Sequence, residues 1–446
     1  MRRKPGGWGS ARRADNSTRR KPVQHGWRYR WQGPRGKGAH LRGKAAASSH
    51  DAMTARKTIA IVGAGIGGLA AAALLARAGH LVQVFDRFAA PRPVGSGLVI
   101  QPVGQAVLDR CGAGEAARAY GARITQMSGV EVEHGRRVLS VTYDRPRGPR
   151  FGLAIHRGAL FQVLLDAALA AGAEVVAATT VLAARLEGTQ RWLETAEGRL
   201  GRFDLVVDAG GAASPLSPLK ARALPYGAVW GTVPWPEGTG FSRIALQQRY
   251  FRASRMAGVL PLGRMEAGGN ELAAVFWSLP AAALAGWPAR DIAGWKAEML
   301  TLWPEIAPFL QTIQTSTDMT VARYSHGTLR RPFAEALVHI GDAAHRASPQ
   351  LGQGANMALL DALALAHAIT TDDPGPHYAR ARHWHVRLYQ AMSAAFTPQY
   401  QSDSRWLPLL RDRLMMPASR IPPVPRILTR LVAGDLIPPI AGAALP

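Results

Sequence analysis

The sequence predicts an α/β protein: a doubly wound βαβ sheet, a mainly antiparallel sheet domain inserted into it, and a helical segment at the C-terminus. Three observations carry this expectation. A β-branched apolar run, "KTIAIVGAG", leads into an Ala- and Leu-rich helix, "LAAAALLARAG", and then into a second strand, "HLVQVFDR". Between Leu216 and Tyr324 the texture shifts to short aromatic and β-branched segments, "AVWGTVPW", "IALQQRYF", "MAGVLPL" and "LAAVFWSL". From Glu335 a strand, a glycine-rich loop and a helix return in "EALVHIGDAAHRASPQLGQGANMALLDALALAHAI".

The opening segment is of another kind. Residues 1–52 hold 14 Lys or Arg against two Asp, so they supply +12 of the net charge of +24. They show no hydrophobic period, and Gly, Pro and charge recur throughout, which predicts disorder. Met53 precedes the first strand and reads as the expected translation start. Interleaved Arg, Trp and Tyr are compatible with binding a nucleic acid, but no nucleic-acid partner is expected. The early Arg pair lacks an apolar export core, and no stretch of the chain is apolar for long enough to span a bilayer, so a cytoplasmic protein is expected. Cys111 is the sole cysteine, which excludes an intramolecular disulfide; no metal site is expected.

In chain order, the βαβ unit comes first. Its glycines, Gly63, Gly65 and Gly68, fall in the G-x-G-x-x-G spacing. The first allows a tight turn, the second lets a pyrophosphate approach the backbone, and the third lets helix and strand pack closely. The helix N-terminus aims free N–H groups at the phosphate. Asp86 closes the second strand, placed to accept hydrogen bonds from ribose hydroxyls. This predicts dinucleotide binding in a Rossmann-like domain and leaves NAD and FAD both open. Further on, "HRGALFQVLLDAALAAGAEVV" reads as helix and strand, and "FDLVVDAGGAAS" as a buried strand entering a glycine turn. A helix is expected from Ile292 to Phe309 and largely helical structure beyond Pro376. The resulting division is 53–215 with 325–375 for the cofactor domain, 216–324 for the substrate domain, and 376–446 for the C-terminal helices.

The second strand-loop-helix decides between the cofactors. Asp342 ends a strand, suited to a polyol hydroxyl, and Gly352 and Gly354 open a helix whose N–H groups suit an electron-rich ring edge. A ribityl chain and an isoalloxazine ring have both features. "GAGIGG", "GDAAH", "PQLGQGAN" and "LLDA" together closely resemble, in order and spacing, the class A flavoprotein monooxygenases of the para-hydroxybenzoate and salicylate hydroxylase type, over Lys57 to about Ile369. The resemblance implies that Gly63, Gly65, Gly68 and Asp86, with the adjacent Arg87, hold the ADP half of FAD. It implies Arg157 near the flavin and pyrophosphate, Gly341 and Asp342 at the ribityl chain, Pro349 flanking the ring, and Gly352, Gln353, Gly354 and Asn356 at its pyrimidine edge. "PVGSGLVIQP" matches the segment that closes over the cofactor, and His345 shapes the loop.

The implied activity is oxygen transfer to a small apolar, aromatic or polyketide-like substrate, by hydroxylation or epoxidation through a flavin C4a-hydroperoxide, with NADH or NADPH and O2 as co-substrates. The enzyme is expected to be a monomer or homodimer, and no catalytic base is assigned. One motif departs from the family: in "DAGGAAS", Gly210 stands where an Asp is usual, Asp208 comes two residues early, and Ser217 takes the place of an Arg. That departure keeps a flavin reductase or dehydrogenase open as an alternative on the same fold. A halogenase is weaker, because "VWGTVPWPEG" lacks the W-x-W-x-I-P pattern.

Overall fold

In the computed structural model, which describes residues 55–90, 95–143 and 150–443, strand β1 (Thr58–Val62) lies inside a six-stranded sheet. The tail and Met53 lie outside the described residues. The sheet order is Phe333–Ala334, Leu337–His339, Leu205–Asp208, β1, β2 (Leu81–Phe85), Glu174–Val176. Every neighbouring pair is parallel except the one at the Phe333–Ala334 edge. Strands buried on both faces read as unbroken apolar runs, and the period of two then assigns each residue a side. Ile59 and Ile61 face a helical layer, with Val82, Val84, Leu205 and Val207 beside them. Ala60 and Val62 face the other way, with Phe85 and Val206.

The helical layer consists of α1 (Ile66–Arg77), Arg157–Ala170 and Gly354–Ala368. Helix α1 is apolar on all sides because it has helices on both flanks, and its run of buried alanines keeps those neighbours close. Gly67 is one such approach: a Cβ there would lie 3.2 Å from that of Ala358. The opposite face of the sheet is covered by a three-stranded antiparallel sheet, Val181–Glu187, Gln190–Thr195 and Gly198–Phe203, which the sequence reading did not anticipate. Its Val181, Leu193 and Phe203 fill the second core, with the Phe203 ring edge-on to Phe85 at 5.9 Å.

All four aromatic segments expected as strands are strands, in an eight-stranded sheet ordered His345–Arg346, Met319–Thr328, Arg222–Pro234, Leu272–Pro280, Arg255–Gly263, Ala245–Phe251, Gln126–Glu131, Arg137–Thr142. Its last two strands correct the expected division of the chain. They precede residue 215, yet they pair here, Gln126–Glu131 running parallel to Ala245–Phe251. The expected helix from Ile292 to Phe309 is also corrected: it stops at Leu302, and a separate turn, Ala307–Leu310, follows. Pro304 is the cause, since the residue before a proline is driven out of the helical region, and Trp303 sits at φ −151°, ψ 84°.

One face of this sheet packs on a helical layer rich in tryptophan, including Trp287, Trp295 and Trp303. The other carries Trp230, Leu246, Leu260, Leu262 and Phe276, and packs against Val99, Ile124 and Ala154. A small antiparallel sheet, Gly97–Ile100, Gly152–His156 and Ala122–Ile124, bridges the two: at Gly97 a Cβ would collide with Leu262 Cδ2 at 2.0 Å. Beyond residue 373 a 27-residue helix, Pro374–Tyr400, packs along Gly354–Ala368, and the helix Val424–Ala433 returns to the mouth of the fold.

The second core predicts a contrast in stability. Phe203→Ala, at 1% exposure, is expected to cost about 3–5 kcal/mol, whereas Leu182→Ala in the same small sheet, at 52% exposure, is expected to cost under about 0.5 kcal/mol. Urea midpoints of the two variants measure the difference.

Candidate active site

The site begins at the turn after β1. Gly63 has φ +107°, and a Cβ there would strike the carbonyl oxygen of Ala209 at 2.5 Å. At Gly68 a Cβ would lie 1.9 Å from Gly63 O. Both positions are closed to any larger residue by backbone. Gly65 is the opposite case: it is exposed, nothing lies within 4 Å of its would-be Cβ, and α1 begins there with no side-chain cap and no acid in its first turn. A helix start of this kind leaves its N–H groups and dipole for an anion.

Asp86 locks this turn. One carboxylate oxygen accepts from Ala64 N–H at 2.8 Å and the other from Phe88 N–H at 2.9 Å, each keeping a further acceptor site. Arg87 is exposed and stacks on Phe88, with Cζ 4.9 Å from the ring centre. Arg157 opens its helix directly after His156, whose imidazole caps the helix by accepting from Gly158 N–H at 3.0 Å. Burial depresses the His156 pKa to about 4, which keeps that acceptor neutral. Part of the Arg157 side chain reaches solvent, yet burial lowers its pKa while the Asp342 carboxylate opposes the shift, so the two charges act on one another.

The second glycine-rich loop is held from below by Asp361, which is fully buried. Its Oδ2 accepts from Gly341 N–H at 2.9 Å and His345 Nε2 at 2.6 Å, and its Oδ1 accepts from Arg382 Nε at 2.8 Å. Burial alone raises a carboxyl pKa, but the charges of His345 and Arg382 and their hydrogen bonds outweigh it and bring Asp361 down to about 2. Gly341, at φ +58°, then turns the chain so that Asp342 stands exposed at the site. His345 thus has the loop-shaping position expected of it.

At the start of Gly354–Ala368 the structure places side chains differently from the sequence reading. Gly352, at φ +61°, donates to Pro349 O at 2.8 Å; Pro349 and Gly354 are exposed, and that helix too begins without a side-chain cap or an acid. Gln353 and Asn356, expected at the ring edge, point inward. Gln353 donates to Val432 O at 2.7 Å, and Asn356 accepts from Gln101 N–H at 2.8 Å while donating to Val99 O and Gly352 O. Both amides fasten neighbouring segments, so at these positions only backbone N–H groups can meet a ring. Gln101 was missed. It is fully buried, its Oε1 accepts from Tyr143 OH at 2.7 Å, and its Nε2 has no protein acceptor although it faces Gly352. It lies in "PVGSGLVIQP", the segment matched to the one that closes over the cofactor, but nothing in that motif singles out its side chain.

The departure at Gly210 has a structural counterpart. Asp208 is fully buried at the strand end, where Oδ1 accepts from Gly210 N–H at 3.1 Å and Ser214 Oγ at 2.6 Å, and Oδ2 pairs with His339 Nδ1 at 2.7 Å. A Cβ on Gly210 would lie 3.0 Å from Ser214 Cβ and 3.2 Å from Asp208 Oδ1. Ser217, in the usual arginine position, donates to Ala343 O at 2.6 Å and so ties this loop to the "GDAAH" turn.

These features fit FAD: an open, uncapped helix start at Gly65, an acid at the end of β2, a second uncapped start at Gly354, and an unpartnered buried amide at Gln101. A parallel sheet carrying both glycine turns, with an antiparallel sheet across its mouth, defines a two-domain flavoprotein. A family profile described as "FAD binding domain" matches residues 56–215 and 295–372. The chain is 27% identical to 6-methylpretetramide 4-monooxygenase of Streptomyces rimosus over 386 residues, 82% of this chain and 86% of that one. It is 30% identical to a probable 2-heptyl-3-hydroxy-4(1H)-quinolone synthase of Rhodococcus erythropolis over 341 residues, 72% and 81% of the two chains. Its fold is shared with 2-methyl-3-hydroxypyridine-5-carboxylic acid oxygenase at a TM-score of 0.69 and 19% identity, covering 84% of this chain and 96% of the other. The chain belongs to the FAD-dependent monooxygenases of the class A flavoprotein family, oxidoreductases that typically take electrons from NADH or NADPH. The comparisons do not favour the reductase or halogenase alternatives.

Two outcomes follow from the buried carboxylates. Asp361→Asn leaves Arg382 unbalanced in the interior and is expected to cost about 3–5 kcal/mol at neutral pH and to lower the flavin-to-protein ratio on purification. An unfolded Asp titrates near 3.9 and the folded Asp361 near 2, so its contribution is complete above about pH 4 and is lost as pH falls toward 2. The gap in denaturation midpoint between wild type and variant should therefore narrow over that window. Gly210→Asp, which sets a second carboxylate against Asp208, is expected to lower the thermal midpoint by several degrees, more than Gly210→Ala does, as scanning calorimetry can show.

Proposed function

We propose that the enzyme inserts one atom of O2 into a flat, electron-rich aromatic substrate bound between the Pro349 turn and the inner face of the eight-stranded sheet. The observation that carries this reading is a row on strand Met319–Thr328. Tyr324 and His326 share one side by the period of two, and His326 Nε2 accepts from the N–H of Ser348, the residue before Pro349, at 2.8 Å. Burial, helped by Arg222, lowers the His326 pKa and favours that neutral acceptor. Beside it, Tyr324 OH accepts from Trp230 Nε1 at 3.1 Å, and the Trp230 ring lies 4.4 Å from that of Phe276. A half-buried indole with its N–H already satisfied presents an apolar face to a ring. One relative is named for 6-methylpretetramide and another for an alkylated hydroxyquinolone, which supports an aromatic or polyketide-like substrate here.

In this reading Gly63, Gly65, Gly68 and Asp86 hold the ADP half of FAD, Arg157 and Asp342 flank its centre, and the N–H groups at Gly354 meet the ring edge. When bound, FAD supplies two-electron reduction by NAD(P)H and the activation of O2. The protein orients and shields. The positive end of helix Gly354–Ala368 favours negative charge at its tip, and Trp230, Phe276 and the bridging strand Gly97–Ile100 exclude water from the crevice between the domains. Ser96 Oγ, 2.7 Å from Thr232 Oγ1 and 3.2 Å from Gly231 O, fastens that strand to the sheet.

Anaerobic addition of NADH or NADPH to the purified yellow protein tests the reading. The flavin absorbance is expected to bleach, faster with a hydroxylated aromatic ligand present, and on admitting air the ligand should gain one oxygen atom. Trp230→Ala is expected to weaken the ligand effect by about tenfold or more while leaving FAD bound. A flavin that neither nucleotide reduces would overturn the proposal.

A further inference from the structure

The C-terminal segment turns its apolar side outward. From Trp406 to Ala418 the backbone is one helical run, with a single π turn at Arg411–Met415. Pro408, Arg411 and Met416 form its buried side. Arg411 anchors it by donating to Gln399 O at 2.8 Å and to Arg252 O at 3.3 Å, with its guanidinium stacked on the rings of Tyr250 and Tyr400. The outer side is Trp406, Leu409, Leu410 and Leu414, at i, i+3, i+4 and i+8, exposed by 79%, 42%, 43% and 62%. A surface helix normally shows water a polar stripe, and a contiguous apolar one marks a contact surface. Ile421 and Ile427, farther along the same segment, are exposed as well.

Arginines frame it. Arg405, Arg413, Arg420, Arg426 and Arg430 are all exposed, while the one acid from 405 to 430, Asp412, accepts from Arg411 Nε at 2.6 Å. We infer that this segment docks the enzyme on an anionic lipid surface, the apolar stripe entering the acyl boundary and the arginines meeting headgroup phosphates. Charge selects this occupant over a second copy of the chain. A two-fold contact through the stripe would bring two arginine-rich margins together with Asp412, already held by Arg411, as the one acid of residues 405–430, whereas headgroups supply anions in number. Trp406 is the residue type that settles at a headgroup interface. No helix among the described residues is long and apolar enough to cross a membrane, so the attachment is peripheral. The inference stands apart from the reaction proposed above.

Flotation of the full-length holoenzyme with vesicles tests it, using phosphatidylcholine alone and a mixture with phosphatidylglycerol. Binding is expected to the mixed vesicles, and to fall by about tenfold or more both in Leu410→Ser/Leu414→Ser and in Arg413→Glu/Arg420→Glu, with flavin content and NAD(P)H oxidation unchanged. Residues 1–52, with 14 cations, are present in every variant, so binding that survives loss of the stripe would belong to them and would overturn the inference. Failure of the wild type to float overturns it too. So does a sedimentation experiment in which the stripe variants convert a dimer to a monomer while vesicle binding stays the same.

Discussion

The site depends on one buried charge cluster. Asp361 sits on the helix Gly354–Ala368, yet its carboxylate holds the main chain of the Gly341 turn, the ring of His345 and the guanidinium of Arg382. Three separate stretches of chain are thereby fixed about one point: the loop that presents Asp342, the helix start at Gly354, and the long C-terminal helix. Arg382 carries the connection outward, donating to Pro439 O and to His385 Nδ1, and His385 donates in turn to Gly434 O. Burial and Arg382 push the His385 pKa down to about 3, so its neutral ring can accept on one side and donate on the other. The cost of burying ions is met here because nearly every lone pair and proton has a partner, the condition under which such a cluster imposes one arrangement.

From that fixed point the two sheets are brought into register by few contacts. Asn356, five residues before Asp361 on the same helix, grips Gln101 and Val99, and the segment carrying them meets the eight-stranded sheet at Leu262 and Thr232. Gln353 grips Val432, and Thr429 on that last helix donates to Thr142 O of the same sheet. The helix start thus has two functions divided between side chain and backbone. Its amides face inward as structural clamps, leaving its N–H groups as the outward-facing chemistry.

This division explains what was legible in the sequence. Glycine positions are readable because sterics at Gly63 and Gly68 leave no alternative, and β1 is readable because burial on both faces demands an unbroken apolar run. Gln353 and Asn356 were read as facing the ring because a motif locates a position and says nothing of side-chain direction. Arg382 and His339 were invisible for a related reason: each gains its role from an acid far away in the chain, Asp361 or Asp208, and neither lies in a spaced pattern. The hairpin Gln126–Glu131 and Arg137–Thr142 escaped because its sheet is decided by pairing with Ala245–Phe251, more than a hundred residues later.

The departure at Gly210 is best understood as a relocation of charge within one turn. At 208 the carboxylate ends its strand beside His339 and takes the Gly210 N–H and the Ser214 hydroxyl, so it organises the loop from beneath. A side chain at 210 would crowd Ser214 and Asp208, and an acid there would set a second carboxylate against that of Asp208. The same loop abuts the Gly63 turn through Ala209 and the "GDAAH" turn through Ser217, so the relocated carboxylate supports both glycine turns. What the loop no longer offers is a negative group on its outer surface. The exposed carboxylate near these turns is then Asp342, whose charge acts on Arg157, while that of Asp208 is spent inside the fold on the main chain and side chains that it holds.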